Sequence, residues 1–197
     1  MPTSIDILHG LGHLGEPMEK TNFQTGEMTY NFGRFNMAGD KIKKWLHQFE
    51  NVAAVIILID LLSYFQISRS TTHLYPKSQV EHRVLKTDLA LHEQIINSPW
   101  LRRSGIIVIF MNEDLFHEAL LYTSVSSIWS DYEGPDKARA ITEYIYDRFE
   151  TIERTGADPL PIYRHVTNSA DASLWPFIVH AVNDAMITQY LKDNGLK

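Results

Sequence analysis

Two continuous apolar runs stand out from an otherwise mixed chain. Val52 to Leu62 is apolar at ten of eleven positions, broken only by Asp60, and Ile106-Ile107-Val108-Ile109-Phe110-Met111 is apolar throughout. Short β-branched runs of this kind predict strands buried on both faces, as in a parallel sheet. Met28 to Met37 alternates loosely through Tyr30, Phe32 and Phe35 and predicts another strand. Ile162 to Val166 predicts a short one that runs into Thr167-Asn168-Ser169-Ala170. Helical spacing appears in three places. Residues 83–97 carry Val84, Leu85, Leu89, Leu91, Ile95 and Ile96, and Pro99 ends the helix by disfavouring α conformation before it. Ala138, Ile141, Tyr144, Ile145, Phe149 and Ile152 share one face of a second helix, with Gly156 and Pro159 as stops. Leu174, Phe177, Ile178, Ala181, Val182, Ala185 and Met186 share a stripe of the last, with Ser173 as N-cap and Asn194-Gly195 as its stop.

Between these elements, residues 1–27 are weakly patterned and turn-rich, residues 63–82 read as a loop or insertion, and residues 115–134 as irregular or short-helical. Strands alternating with helices predict one α/β domain over residues 1–197, built on a mostly parallel sheet. The polar cluster Asn112-Glu113-Asp114 follows the second apolar strand, on the side where open α/β sheets place ligands. Ahead of the first apolar strand lies Phe35 to Glu50, a small-residue turn at Ala38-Gly39 leading to a basic amphipathic piece with Lys43, Lys44 and Trp45. A glycine turn feeding a basic helix beside a buried strand suits phosphate, or a surface that responds to it.

Composition narrows the classes. The 197 residues are 44% hydrophobic and 21% charged, ordinary for a soluble domain, with a net charge of −6 that argues against nucleic acid as a partner. The chain has no cysteine, so disulfides and thiolate metal sites are excluded. Neither a spanning apolar run nor a signal pattern is visible, so the expected location is cytoplasmic, reaching the inner face of the plasma membrane only through partners.

Six segments in order then resemble the Ras-like half of heterotrimeric G-protein α subunits. Pro2-Thr3-Ser4-Ile5-Asp6-Ile7-Leu8 is similar to the family's P-T-x-x-D-I-L, and Phe35 to Glu50 to its second switch. Asn112-Glu113-Asp114 stands at N-K-x-D. Gly134-Pro135 with Tyr144-Ile145 and Arg148-Phe149-Glu150 resembles the penultimate helix region. Thr167-Asn168-Ser169-Ala170 stands at T-C-A-T, and Leu191 to Leu196 at the L-K-D-x-G-L tail. The resemblance implies an incomplete Ras-like fold and GTP or GDP as ligand, held by Gly39, Asn112, Asp114, Thr167 and Ser169. It also implies a Gβγ dimer contacting Lys43, Lys44 and Trp45, and a G protein-coupled receptor contacting Asp193, Asn194, Gly195 and Leu196.

The departures fall on the chemistry. The phosphate-binding G-x-x-x-x-G-K-S is absent. Gly10-Leu11-Gly12-His13-Leu14-Gly15 imitates it, but Glu16 and Pro17 follow where Lys and Ser are needed. Leu11 stands at the family's catalytic arginine, and Leu14 lies near its Mg²⁺-binding threonine. Asn36 replaces the aspartate that supports Mg²⁺, and Asp40, the candidate catalytic residue, replaces the water-orienting glutamine; the resemblance therefore stops short of Mg²⁺. N-K-x-D is one residue short and lacks its lysine, and Ser169 replaces an alanine. The family's first strand, central in its sheet, is missing too. Three solutions are open: Ile5-Asp6-Ile7-Leu8 substitutes for it, the two flanking strands close on each other, or a partner supplies cover.

Plainer roles stand beside these. Lys43, Lys44 and Trp45 also fit a solvated basic helix with one packed indole, and Asn112 and Asp114 also fit a turn. His9 and His13 have i,i+4 spacing, but the glycines between them oppose a metal-binding helix. The expected function is a Gα-like signal transducer with GTP turnover weakened or lost. The alternatives are a working GTPase with altered residues, and a remnant copy that does not fold alone.

Overall fold

The computed structural model describes residues 19–25, 28–34, 46, 52–65, 67–68, 82–122, 132–152, 154, 160–168 and 171–196. In chain order the strands are β1 (Glu19–Thr25), β2 (Met28–Arg34), β3 (Ala54–Asp60), β4 (Ile67–Ser68), β5 (His82–Arg83), β6 (Gly105–Met111) and β7 (Ile162–Thr167). The helices are α1 (Val84–Ile96), α2 (Glu113–Leu120), α3 (Ala138–Glu150) and α4 (Leu174–Asp193), with 3₁₀ turns at Leu61–Phe65 and Pro99–Leu101.

β6 is the centre of the fold. It pairs in parallel with β3 on one side and β7 on the other, and all but its last residue are buried. Because successive side chains point to opposite faces, β6 feeds two cores. Ile106, Val108 and Phe110 pack with Ile141, Ile145 and Phe149 of α3 and with Leu85, Ile95 and Ile96 of α1. Ile107 and Ile109 pack with Ile178, Ala181 and Val182 of α4. The α4 backbone comes close: a Cβ on Gly105 would collide with that of Ala185.

β3 is not buried on both faces. Ile57 and Ile59 enter the first core, but Leu58 between them is 40% exposed. The reason is position: among the described residues β3 is an edge strand, paired only with β6. An apolar run records the side chains, not how many neighbours cover them.

The other differences are local. Glu19–Thr25, within a stretch expected to be turns, forms a strand antiparallel to β2. Among the described residues this hairpin is a sheet of its own, with β2 not paired to β3. It is held by Tyr30, whose hydroxyl donates to Asn183 Oδ1 at 2.9 Å, and by Phe32 against Trp175. The substitute segment Ile5 to Leu8 lies outside the described residues. β4 and β5 pair at the two ends of the expected 63–82 loop. α3 ends at Glu150, before Gly156.

α4 is capped differently at its start and as expected at its end. Ser173 makes no side-chain capping bond. Instead its N–H and its hydroxyl both donate to Asp171 Oδ1, at 2.8 and 2.6 Å. At the far end Gly195 takes φ 67°, with Leu196 N–H donating to Leu191 O and Gly195 N–H to Lys192 O, the bonds of a Schellman motif. Met186, expected in the buried stripe, is 41% exposed.

Candidate functional site

The parallel register aligns Asp60, Met111 and Thr167 across the carboxyl ends of β3, β6 and β7, the edge where open α/β sheets bind ligands. Three of the expected nucleotide-binding residues meet there: Asn112, Asp114 and Thr167.

Asn112 turns the chain from β6 into α2. Its φ of 64° and ψ of 37° are left-handed, and it is the one non-glycine residue with positive φ among those described. Asparagine tolerates this region better than most residues. As N-cap of α2 it makes no side-chain capping bond. Its Nδ2 donates instead to Asp60 Oδ1 at 2.9 Å, and the same oxygen accepts the Leu62 N–H at 3.0 Å. Glu113 and Asp114 lie in the first turn of α2, where carboxylates suit the helix dipole. Glu113 accepts the Tyr146 hydroxyl at 3.1 Å, and burial beside that carboxylate holds the phenol well above its usual range. Asp114 is exposed. The expected polar loop is thus a helix start, with Asn112 tied to β3, Glu113 to α3 and Asp114 exposed.

Thr167 is buried, and its hydroxyl reaches Asn168 O and Asp171 Oδ2, both at 3.1 Å. Asp171 is the hub of this corner. Hydrogen bonds from Ser173, Thr167 and His165 bring its carboxyl down to about 2. His165 approaches it at 3.4 Å while stacking on Phe177, ring centroids 4.5 Å apart. Sequence reasoning missed both hubs, Asp60 and Asp171. Asp60 had a signal, as the single polar break in an apolar run.

Deeper in, Asp88 on α1 accepts the Ser63 hydroxyl at 3.1 Å. Burial, and secondarily the nearby Asp60 charge, raise its carboxyl to about 6. Among the described residues, Asp60, Asp88, Asp114 and Asp171 put carboxylates at this edge. Asp114 offers an acceptor to the N–H groups of a purine, whereas the Asn112 amide is engaged before any ligand arrives.

The expected receptor contacts close the end of α4. Asp193 pairs with Arg103 at 2.5 Å and accepts from Gln189 at 2.6 Å, while the Asn194 amide donates to Tyr190 O at 2.8 Å. Gly195 supplies the left-handed cap, and Leu196 is 55% exposed. Met186, Ile187 and Tyr190 extend this exposed apolar end; of the three, only Met186 was expected in the core stripe. Gly39, Asp40, Lys43, Lys44, Trp45, Ser169 and Leu11 lie outside the described residues. Leu46, next to Trp45, is buried in the first core. Among the described residues no group of three or more His, Asp or Glu side chains is placed to hold a metal ion, and no helix is long and apolar enough to cross a membrane.

Comparison with known proteins agrees with this architecture. The profile of one family, described as G-protein alpha subunit, matches residues 1–186. The guanine nucleotide-binding protein alpha-1 subunit of Mycosarcoma maydis is 33% identical over 198 residues, covering all of this chain and 52% of the relative. The guanine nucleotide-binding protein subunit alpha of Coprinellus congregatus and the alpha-1 subunit of Neurospora crassa are each 31% identical with the same coverage. The chain spans about half the length of the curated relatives it matches.

Proposed function

From the premise that this chain belongs to the G-protein alpha subunit family, we propose that it acts as a Gα-like signal transducer that engages a Gβγ dimer, a G protein-coupled receptor, or both. In this reading GTP binding and hydrolysis are weakened or lost. The observation that carries it is the contrast between two ends of the molecule. At the carboxyl edge, Asn112 is engaged by Asp60 at 2.9 Å and Glu113 stands without the motif's lysine. At the end of α4, a well-formed cap presents Ile187, Tyr190 and Leu196 to solvent, 59%, 66% and 55% exposed. An exposed apolar row at a helix end suits protein contact.

Replacement of the arginine and glutamine positions by Leu11 and Asp40 supports the catalytic half of the reading, since those two groups supply most of the transition-state stabilisation in such enzymes. Asn36 and Leu14 at the Mg²⁺ positions support it as well. Lys43, Lys44 and Trp45 are the proposed Gβγ contact, and the protein reaches the membrane face through these partners. The test is binding of purified Gβγ dimer with and without GDP and Mg²⁺. The expected result is binding that does not depend on nucleotide and is weakened by K43E/K44E. Binding only with GDP present would overturn the reading, as would failure to bind either Gβγ or a receptor. In the first case single-turnover GTP hydrolysis, lost on Asp40→Ala, would identify a working GTPase.

A further inference from the structure

Resting on the reading of this edge as a vestigial nucleotide site, we propose that Asp60 is a built-in lock, a carboxylate that occupies the Asn112 amide and must be displaced before the asparagine can meet a base.

Four observations carry the lock. An asparagine at a helix N-cap ordinarily turns its side chain onto the backbone N–H groups of the first turn; Asn112 makes no such bond and reaches across to β3 instead. A carboxylate offers only acceptors, so the atom facing it must be the amide nitrogen, and the planar amide then carries its oxygen on the other side. The orientation of Asn112 is therefore imposed by Asp60. Asp60 is itself fixed, because the oxygen that accepts from Asn112 also accepts the Leu62 N–H at 3.0 Å, which ties the lock to the Leu61–Phe65 turn. Finally, the contact is partly buried and charge-assisted, so it competes well with water and with a neutral ligand. The neighbouring carboxylates have hydrogen-bond partners of their own, Glu113 accepting from Tyr146 and Asp88 from Ser63.

The left-handed backbone at Asn112 belongs to the same device. It places the residue that follows β6 within reach of Asp60, the last residue of β3, whose registered partner is Met111.

Guanosine is the suitable probe, because it carries no phosphate and is not repelled by the acidic edge. The Asn112 side-chain amide resonances are followed by ¹⁵N NMR during guanosine titration of the wild type, Asp60→Ala and Asp60→Asn. Guanosine is expected to leave the wild-type amide unmoved and to shift it in Asp60→Ala, with apparent affinity at least about tenfold tighter, the factor one hydrogen bond supplies. Asp60→Asn keeps an acceptor and is expected to behave as the wild type. If Asp60→Ala does not fold, Asp60→Val replaces it, since valine suits a strand and offers no acceptor. A shift as large in the wild type as in Asp60→Ala, or no shift in either, would overturn the lock. Neither result touches Gβγ binding, and loss of Gβγ binding would leave the Asn112 result standing, so the two readings fail separately.

Discussion

Ser63 caps the carboxyl of Asp88 through a 3.1 Å hydrogen bond that joins the Leu61–Phe65 turn to α1. Burial raises that carboxyl from 3.8 to about 6, while on the same helix burial, with the Arg164 charge, lowers His92 from 6.5 to about 4. The signs are opposite. Asp88 takes up a proton more readily folded than unfolded, so its contribution is full below 3.8 and fades as pH rises through 6. His92 takes one up less readily when folded, so its contribution is full above 6.5 and fades as pH falls through 4. The two slopes oppose each other over most of the same window, and the wild type is expected to vary little in stability there. Asp88→Asn leaves His92 uncompensated and should lose on the order of 2–3 kcal/mol on acidification across it. His92→Leu should show the reverse slope. Urea unfolding of the three proteins at several pH values checks both.

His92 is fully buried with its ring 5.4 Å from that of Phe149, and among the described residues neither ring nitrogen makes a hydrogen bond of ordinary geometry, the Phe149 backbone interacting only weakly. A buried polar atom without a partner costs stability. At pH 7, where the ring is neutral in the folded protein, His92→Leu should therefore gain about 1–2 kcal/mol, measured as a higher urea midpoint with an unchanged slope.

Gly105 lies under α4 at the Ala185 methyl. Gly105→Ala should force the helix outward and cost about 1–3 kcal/mol. Adding Ala185→Gly vacates the space, so the double variant should recover much of the loss. A simple sum of the two single effects would show that the close approach is not what limits position 105.

Asp171 gathers Ser173 N–H, the Ser173 and Thr167 hydroxyls and His165 at the start of α4. Asp171→Ala should cost about 1–2 kcal/mol as a lost cap. Because its folded carboxyl is depressed from 3.8 to about 2, its contribution is present above 3.8 and is lost as pH falls through 2. Thermal unfolding of wild type and variant between pH 2 and 5 should show the difference closing on acidification.

What could be read from the chain follows from how each signal arises. β6 was legible because a central parallel strand needs apolar residues on both faces, and Gly105–Met111 has them. β3 looked the same yet exposes Leu58, because periodicity cannot report whether a neighbouring strand is present. β1 was missed because E-K-T-N-F-Q-T has no apolar alternation; in a two-stranded hairpin Thr21, Asn22 and Gln24 face water. The cap of α4 passed from Ser173 to Asp171, since two oxygen-bearing residues near one helix start compete and only geometry chooses. At the candidate site, motif resemblance located Asn112, Asp114 and Thr167. Asp60 belongs to none of the motifs, and its effect on Asn112 depends on the parallel register that sets β3 beside β6.

In the proposed reading this Gα-family chain keeps partner surfaces while its nucleotide edge no longer holds GDP firmly. Thermal unfolding with and without saturating GDP and Mg²⁺ tests it most directly. Ligand at a hundred times its dissociation constant adds about 2.7 kcal/mol, which for a domain of this size raises Tm by roughly 5–10 °C. One cooperative transition is expected, with a midpoint that GDP and Mg²⁺ leave in place. A rise of several degrees would contradict it.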